Sequence, residues 1–111
     1  MVFAVNETNF NQEVLEASVP VLVHFWTPWC GLCRLINPIL QNLVDRDKSI
    51  KLISINADDN FKLANHYCLR NLPTIMLFHQ GKLIKKLDNF NSREQLRLAL
   101  AEIMNHSIFV S

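Results

Sequence analysis

Cys30 and Cys33 stand two residues apart in Trp26-Thr27-Pro28-Trp29-Cys30-Gly31-Leu32-Cys33-Arg34, directly after Val21-Leu22-Val23-His24-Phe25-Trp26, a run that is apolar but for His24. That order reads as a buried strand, a turn and then a helix, which presents two thiols at a helix N-terminus. The unpaired N–H groups of the first helical turn and the positive end of the helix dipole stabilise a thiolate there, making a cysteine nucleophilic at neutral pH. Spacing of i and i+3 also lets the pair close into a small disulfide without unwinding the helix. By itself, however, the Cys-x-x-Cys pattern is equally compatible with redox chemistry, zinc binding or a pair of inert buried thiols.

Positioning this pair requires a strand before it and a helix after it, and the periodicities supply both. Val21–Trp26 lacks a polar face, as expected of a central strand covered on both sides. Leu35, Ile36, Ile39, Leu40, Leu43 and Val44 recur at helical spacing from Cys30 to about Arg46, with Pro38 expected to kink that helix. Upstream, Val2–Val5 reads as a short strand and Thr8 as the N-cap of a helix over Asn9–Ala17, with Phe10, Val14 and Leu15 on its apolar face. Downstream, Lys51–Asn56 is a β-branched strand, and Asp58-Asp59-Asn60 caps a short helix ending near Tyr67. Thr74–Phe78 and Lys82–Leu87 form a hairpin about Gln80-Gly81. Ser92 with Gln95 fits a capping box for a last helix, carried by Leu96, Leu98, Leu100 and Ile103 to about Asn105. The order is β-α-β-α-β-α-β-β-α, with no internal repeat and no linker.

A chain of 111 residues, half of them apolar, suits one domain able to bury roughly 65% of its unfolded surface. A formal net charge of +1 with no basic run gives no footprint for nucleic acid or an anionic membrane. Three cysteines are too few for a disulfide scaffold, and the odd count points to a reducing compartment. Met1–Glu7 has no basic stretch followed by an apolar core, so the expectation is a cytoplasmic protein without a leader or membrane span.

Trp26 and Trp29 flank the thiols, and Leu72-Pro73-Thr74 opens a strand as a cis proline would. On these residues, together with Phe25, Gly31, Pro38-Ile39-Leu40, Asn56, Asp58, Leu69-Arg70 and Gly81, the chain resembles the thioredoxin family from about Asn6 to Asn105. The resemblance implies an α/β thioredoxin fold, a central mixed sheet flanked by helices, in one domain over 1–111 with 106–111 as a C-terminal tail. It implies a protein thiol-disulfide oxidoreductase. Cys30 would be the exposed nucleophile that forms a mixed disulfide with a client, and Cys33, one turn deeper, would resolve it and leave Cys30 joined to Cys33. Trp29 would pack beside the thiols and Pro73, cis, would face them and leave its backbone available to a client strand. Trp29, Gly31, Leu32, Leu72, Pro73 and Asn89 would form the client surface. No cofactor or metal would be bound. Electrons would come from a thioredoxin reductase, NADPH- or ferredoxin-linked, and the partners would be disulfide-containing clients of a monomer. Plain core packing competes with these roles for Trp26 and Trp29, and an ordinary turn competes for Pro73.

The chain departs from the family pattern at several positions. Leu32 stands where proline is usual and supplies an N–H near the Cys30 sulfur, which predicts a well-stabilised thiolate and a more oxidising couple. His24 stands where the family keeps a buried aspartate behind the resolving cysteine, and Ser54 where a lysine is common. An imidazole with an ordinary pKa of ~6.5 is able to serve Cys33 as a base, directly or through water. The competing reading is a neutral core histidine whose N–H is satisfied by backbone or Ser54. Asn71 and Asn89 replace groove glycines, which predicts an altered client range. Cys68, where the family often turns on glycine, is expected to be a free buried thiol. His66, His79 and His106 read as surface residues.

Two other functions compete with the reductase. Cys30 and Cys33 could join Cys68, His66 or a second subunit around zinc or an iron-sulfur cluster, although no second Cys-x-x-Cys is present. Alternatively, the missing aspartate and altered groove suit a thioredoxin-like redox-sensing or interaction module with little general reductase activity.

Overall fold

The computed structural model describes residues 2–90 and 92–104. Five strands, β1 (Val2–Ala4), β2 (Val21–Trp26), β3 (Lys51–Asn56), β4 (Thr74–His79) and β5 (Lys82–Leu87), form one sheet in the order β1-β3-β2-β4-β5. β1, β2 and β3 run parallel, β4 runs antiparallel to β2 and β5 antiparallel to β4, so the sheet is mixed, as the family resemblance implies. Helices α1 (Gly31–Arg46), α2 (Phe61–His66) and α3 (Arg93–Met104) and a π-helical turn, Asn11–Leu15, cover it.

β2 lies at the centre because its two faces feed two cores. Leu22 points with Leu52, Ile75 and Leu77 toward Ile36, Leu40 and Val44 of α1 and Leu96, Leu100 and Ile103 of α3. Val21, Val23 and Phe25 point the other way, with Ile53, Ile55, Met76 and Phe78, onto Phe10 and Val14 of the N-terminal segment. Phe10, Tyr67 and Phe78 close that second core as a ring cluster with centroids 5.7 to 5.9 Å apart. Residues of β2 alternate between faces, so His24 and Trp26 share the α1 side with Leu22.

Local chemistry explains where the chain turns. Gln80 (φ 53°) and Gly81 (φ 78°) both take left-handed backbone, as a two-residue hairpin demands, and a Cβ on Gly81 would meet the Leu15 carbonyl at 3.2 Å. Ser92 Oγ accepts the Gln95 N–H at 3.2 Å, the cap expected for α3. Pro38 lies inside α1 on its exposed face, where water can meet the carbonyl that lacks a partner.

Four details differ from the sequence-based expectation. Thr8 caps nothing, because Asn6 Oδ1 accepts both its N–H and its hydroxyl, and the turn that follows is π-helical with Glu16 N–H on the Asn11 carbonyl. Asn60 precedes α2 without capping it. Its side chain is turned sideways, donating to the Asn56 carbonyl at 2.8 Å and accepting the Glu7 N–H at 3.0 Å, while Glu7 Oε1 takes the Lys62 N–H at 2.8 Å. Leu35 and Leu98 are exposed, since each falls off the inward stripe of its helix. The expected tail over 106–111 and His106 lie outside the described residues, among which no helix is long and apolar enough to cross a membrane.

Candidate active site

β2 ends at Trp26, whose carbonyl accepts the Ala57 N–H at 2.8 Å, and the chain then turns through Thr27, Pro28 and Trp29. The Thr27 carbonyl takes the Cys30 N–H at 3.1 Å, which places Cys30 at the N-cap of α1 in extended backbone (φ −88°, ψ 102°). Its sulfur does the work of a capping oxygen: Cys30 Sγ accepts the Cys33 N–H at 3.2 Å. Cys30 and Cys33 are joined in a disulfide with Cα atoms 5.4 Å apart. In this oxidised form Cys30 is 6% exposed and Cys33 3%, so Cys30 is not the open thiol expected of a nucleophile. Its sulfur is turned inward to meet both Cys33 Sγ and the helix N–H.

The surroundings divide into an exposed rim and a buried floor. Trp29, 71% exposed, is no core residue, and its indole N–H donates to Asp58 Oδ2 at 3.0 Å. Gly31 is open, with no atom within 4 Å of an added Cβ, and Leu32 is half-buried against the α1–α3 core. The Leu72–Pro73 peptide is cis. Thr74 pairs with Phe25, so Pro73 is buried at the end of the sheet where β2 releases the dithiol turn. Leu72 is half-buried on the opposite core, and Asn89 is exposed in the loop after β5. Neither Asn71 nor Asn89 takes left-handed backbone, so both tolerate a side chain without strain.

His24 and Cys33, nine residues apart, meet at one pocket of about 410 Å³ that is also lined by Trp26, Thr27, Asn37 and Ser54, with Pro28 and Arg34 at its exposed edge. Ser54 is the register partner of His24 across β2 and β3, yet His24 Nε2 has no hydrogen-bond partner. Burial drives the imidazole pKa down to about 4, which keeps it neutral near pH 7. Thr27 and Asn37 were not singled out from the sequence; only their spacing from Cys30 and Cys33 could have flagged them.

Cys68 is exposed rather than buried. It takes left-handed backbone (φ 55°) as the residue after the end of α2, where Cys68 N–H meets the Asn65 carbonyl at 3.1 Å and Leu69 N–H the Ala64 carbonyl at 2.9 Å. That paired closure usually uses glycine, and it turns the side chain outward. Among the described residues no three His, Cys, Asp or Glu side chains converge as metal ligands would.

A family model described as Thioredoxin matches residues 1–102. "Thioredoxin 1" of Synechococcus elongatus is 42% identical over 82 residues, spanning 73% of this chain and 77% of its own. "Thioredoxin" of Pyropia yezoensis is 42% identical over 81 residues, 72% and 76% of the two chains. "Thioredoxin M-type, chloroplastic" of Chlamydomonas reinhardtii is 46% identical over 80 residues, 71% of this chain and 57% of its own.

Proposed function

The chain belongs to the thioredoxin family, and on that premise we propose how its residues divide the work. It is a protein thiol-disulfide oxidoreductase built on the Cys30–Cys33 couple, and nothing in its geometry favours a redox-sensing module without turnover. The thiolate of Cys30 attacks one sulfur of a client disulfide, and the other client sulfur leaves as a thiolate. Cys33, deprotonated, then attacks the Cys30 sulfur. The second client thiolate departs, two electrons have passed to the client, and the Cys30–Cys33 disulfide remains.

The observation that carries this reading is the Cys33 N–H on Cys30 Sγ at the head of α1. A donor held at that sulfur in the disulfide is already in place for the thiolate, where a charge-assisted bond is stronger. Trp29, Gly31, Leu32, Leu72, Pro73 and Asn89 form the client surface in this reading, with Pro73 offering a carbonyl but no N–H. His24 serves the resolving step as a neutral hydrogen-bonding group beside Cys33, since burial holds its pKa well below its ordinary value.

Proteins of this family act on disulfide-bearing clients and receive electrons from a thioredoxin reductase. We extend this to a cytoplasmic monomer, a single domain over 1–111, recharged by an NADPH- or ferredoxin-linked reductase. Insulin reduction driven by dithiothreitol and by each class of reductase in turn, together with incubation of a Cys33→Ser variant with insulin to trap the mixed disulfide, tests the scheme. Turnover with one reductase and a trapped mixed disulfide on Cys30 are expected. Alkylation showing Cys30 no more reactive at pH 7 than free cysteine would overturn it.

A further inference from the structure

Asn60 sits at the N-cap position of α2, where an asparagine normally turns its side-chain oxygen onto the helix, and it does not do so. Its side chain is buried, the residue being 5% exposed, and spans two other segments: Nδ2 donates to the Asn56 carbonyl at 2.8 Å and Oδ1 accepts the Glu7 N–H at 3.0 Å. A carbonyl on one side and a backbone N–H on the other fix which way the amide faces. A residue that gives up the bond its own position favours marks a place where something other than local helix stability is served.

What Asn60 braces is the connection from β3 to α2. Ala57 N–H lies on the Trp26 carbonyl at 2.8 Å, Asn56 Oδ1 accepts the Asp58 N–H at 2.9 Å, and Asn60 closes the turn back onto Asn56. The backbone of Asp58 is therefore held from both sides although its side chain is exposed, and its carboxylate takes the Trp29 indole N–H at 3.0 Å. A hydrogen bond in water immobilises a ring only if its acceptor is itself fixed, since otherwise both groups keep their freedom. We propose that Asn60 is a positioning residue for client docking, its buried amide fixing the loop from which Asp58 holds the Trp29 ring. A ring ordered in advance lowers the cost of ordering it when a client binds. The inference rests on Trp29 lying on the client surface, as proposed above.

Single-turnover oxidation of the reduced full chain by insulin, followed over a range of insulin concentrations, gives a half-saturating concentration and a limiting rate. Asn60→Ala should raise the first by roughly three- to tenfold, the affinity equivalent of one side chain left to be ordered on binding, with the limiting rate and reduction potential unchanged. In the same variant, labelled with nitrogen-15, exchange of the Trp29 indole N–H with water should quicken severalfold. A double-mutant cycle separates positioning from general support: in an Asp58→Ala background, where the ring is already free, adding Asn60→Ala should change the half-saturating concentration by less than about twofold. An undiminished rise there means that Asn60 supports the fold at large and overturns the proposal, as does a fall in the limiting rate alone or an unchanged Trp29 exchange rate. Should Asn60→Ala fail to fold, Asn56→Ala removes the bond to the Asp58 N–H and keeps the Asn56 carbonyl for Asn60. It must then give the same rise, and the same loss of that rise in the Asp58→Ala background, or the proposal falls. Failure of the client-surface reading shows separately, as a Trp29→Ala variant with an unchanged half-saturating concentration while Trp29 exchange still answers to Asn60→Ala; that result would leave Asn60 an anchor of the ring and remove its role in docking.

Discussion

The indole N–H of Trp29 and the carboxylate of Asp58 are joined at 3.0 Å, so the aromatic face next to Cys30 is held from the loop between β3 and α2. The bond crosses from one connection to another at the same end of the sheet. It fixes a side chain that is otherwise mostly in water.

Asp58→Ala should therefore free the Trp29 ring without touching the thiols. An exposed hydrogen bond to a charged group is worth about 1 kcal/mol, or about a fivefold change. The expected result is a severalfold rise in KM for insulin with kcat and reduction potential unchanged. A loss confined to kcat would contradict a docking role for Trp29.

Leu32 occupies the second position of α1, directly after Gly31, and carries an N–H that proline would remove. One hydrogen bond of about 1.4 kcal/mol to the thiolate shifts a two-electron potential by about 30 mV. Leu32→Pro is thus expected to make the couple more reducing by an amount of that order, measured by redox titration against glutathione. A shift to a more oxidising potential would refute the argument.

His24 is neutral in the fold down to about pH 4, whereas in the unfolded chain it is protonated below about pH 6.5. Between these values the unfolded state binds more protons, so stability rises with pH across the window and its full value is present above pH 6.5. As pH falls through 4 the loss reaches a size on the order of 3 kcal/mol. Urea denaturation of the native chain and His24→Asn from pH 3.5 to 7.5 should give a difference curve with that slope and sign. A flat difference would show that His24 is not buried neutral.

Glu7 reaches across from the N-terminal loop to take the Lys62 N–H at the start of α2, in place of a cap from Asn60. Losing a helix cap costs about 0.5–2 kcal/mol. Glu7→Ala should lower the urea midpoint accordingly and speed hydrogen exchange at the Lys62 amide, whereas Asn60→Ala should also disturb the Glu7 backbone it anchors.

Much of this was legible because it depends on neighbours in sequence. The apolar run into Cys30 and Cys33 places the dithiol at the head of α1 by local geometry alone, and Gln80-Gly81 and Ser92 mark a turn and a cap by their own backbone and side-chain preferences. Thr8, Asn60 and Cys68 misled for the converse reason. Each has the local chemistry expected of it, but Asn6 competes for Thr8, Asn56 and Glu7 claim the Asn60 side chain, and the closure of α2 turns Cys68 outward.

The sequence alone determined the order of strands and helices and the nature of the reacting pair, since periodicity and a fixed i, i+3 spacing are properties of the chain itself. Only the tertiary structure decided what surrounds that pair. The pairing of β2 with β3 sets His24 beside Ser54, and the packing of α1 on that face brings Cys33 over both. Burial there lowers the imidazole pKa and leaves polar atoms without partners, because desolvation depends on what the other elements cover and has no signature in the spacing of residues.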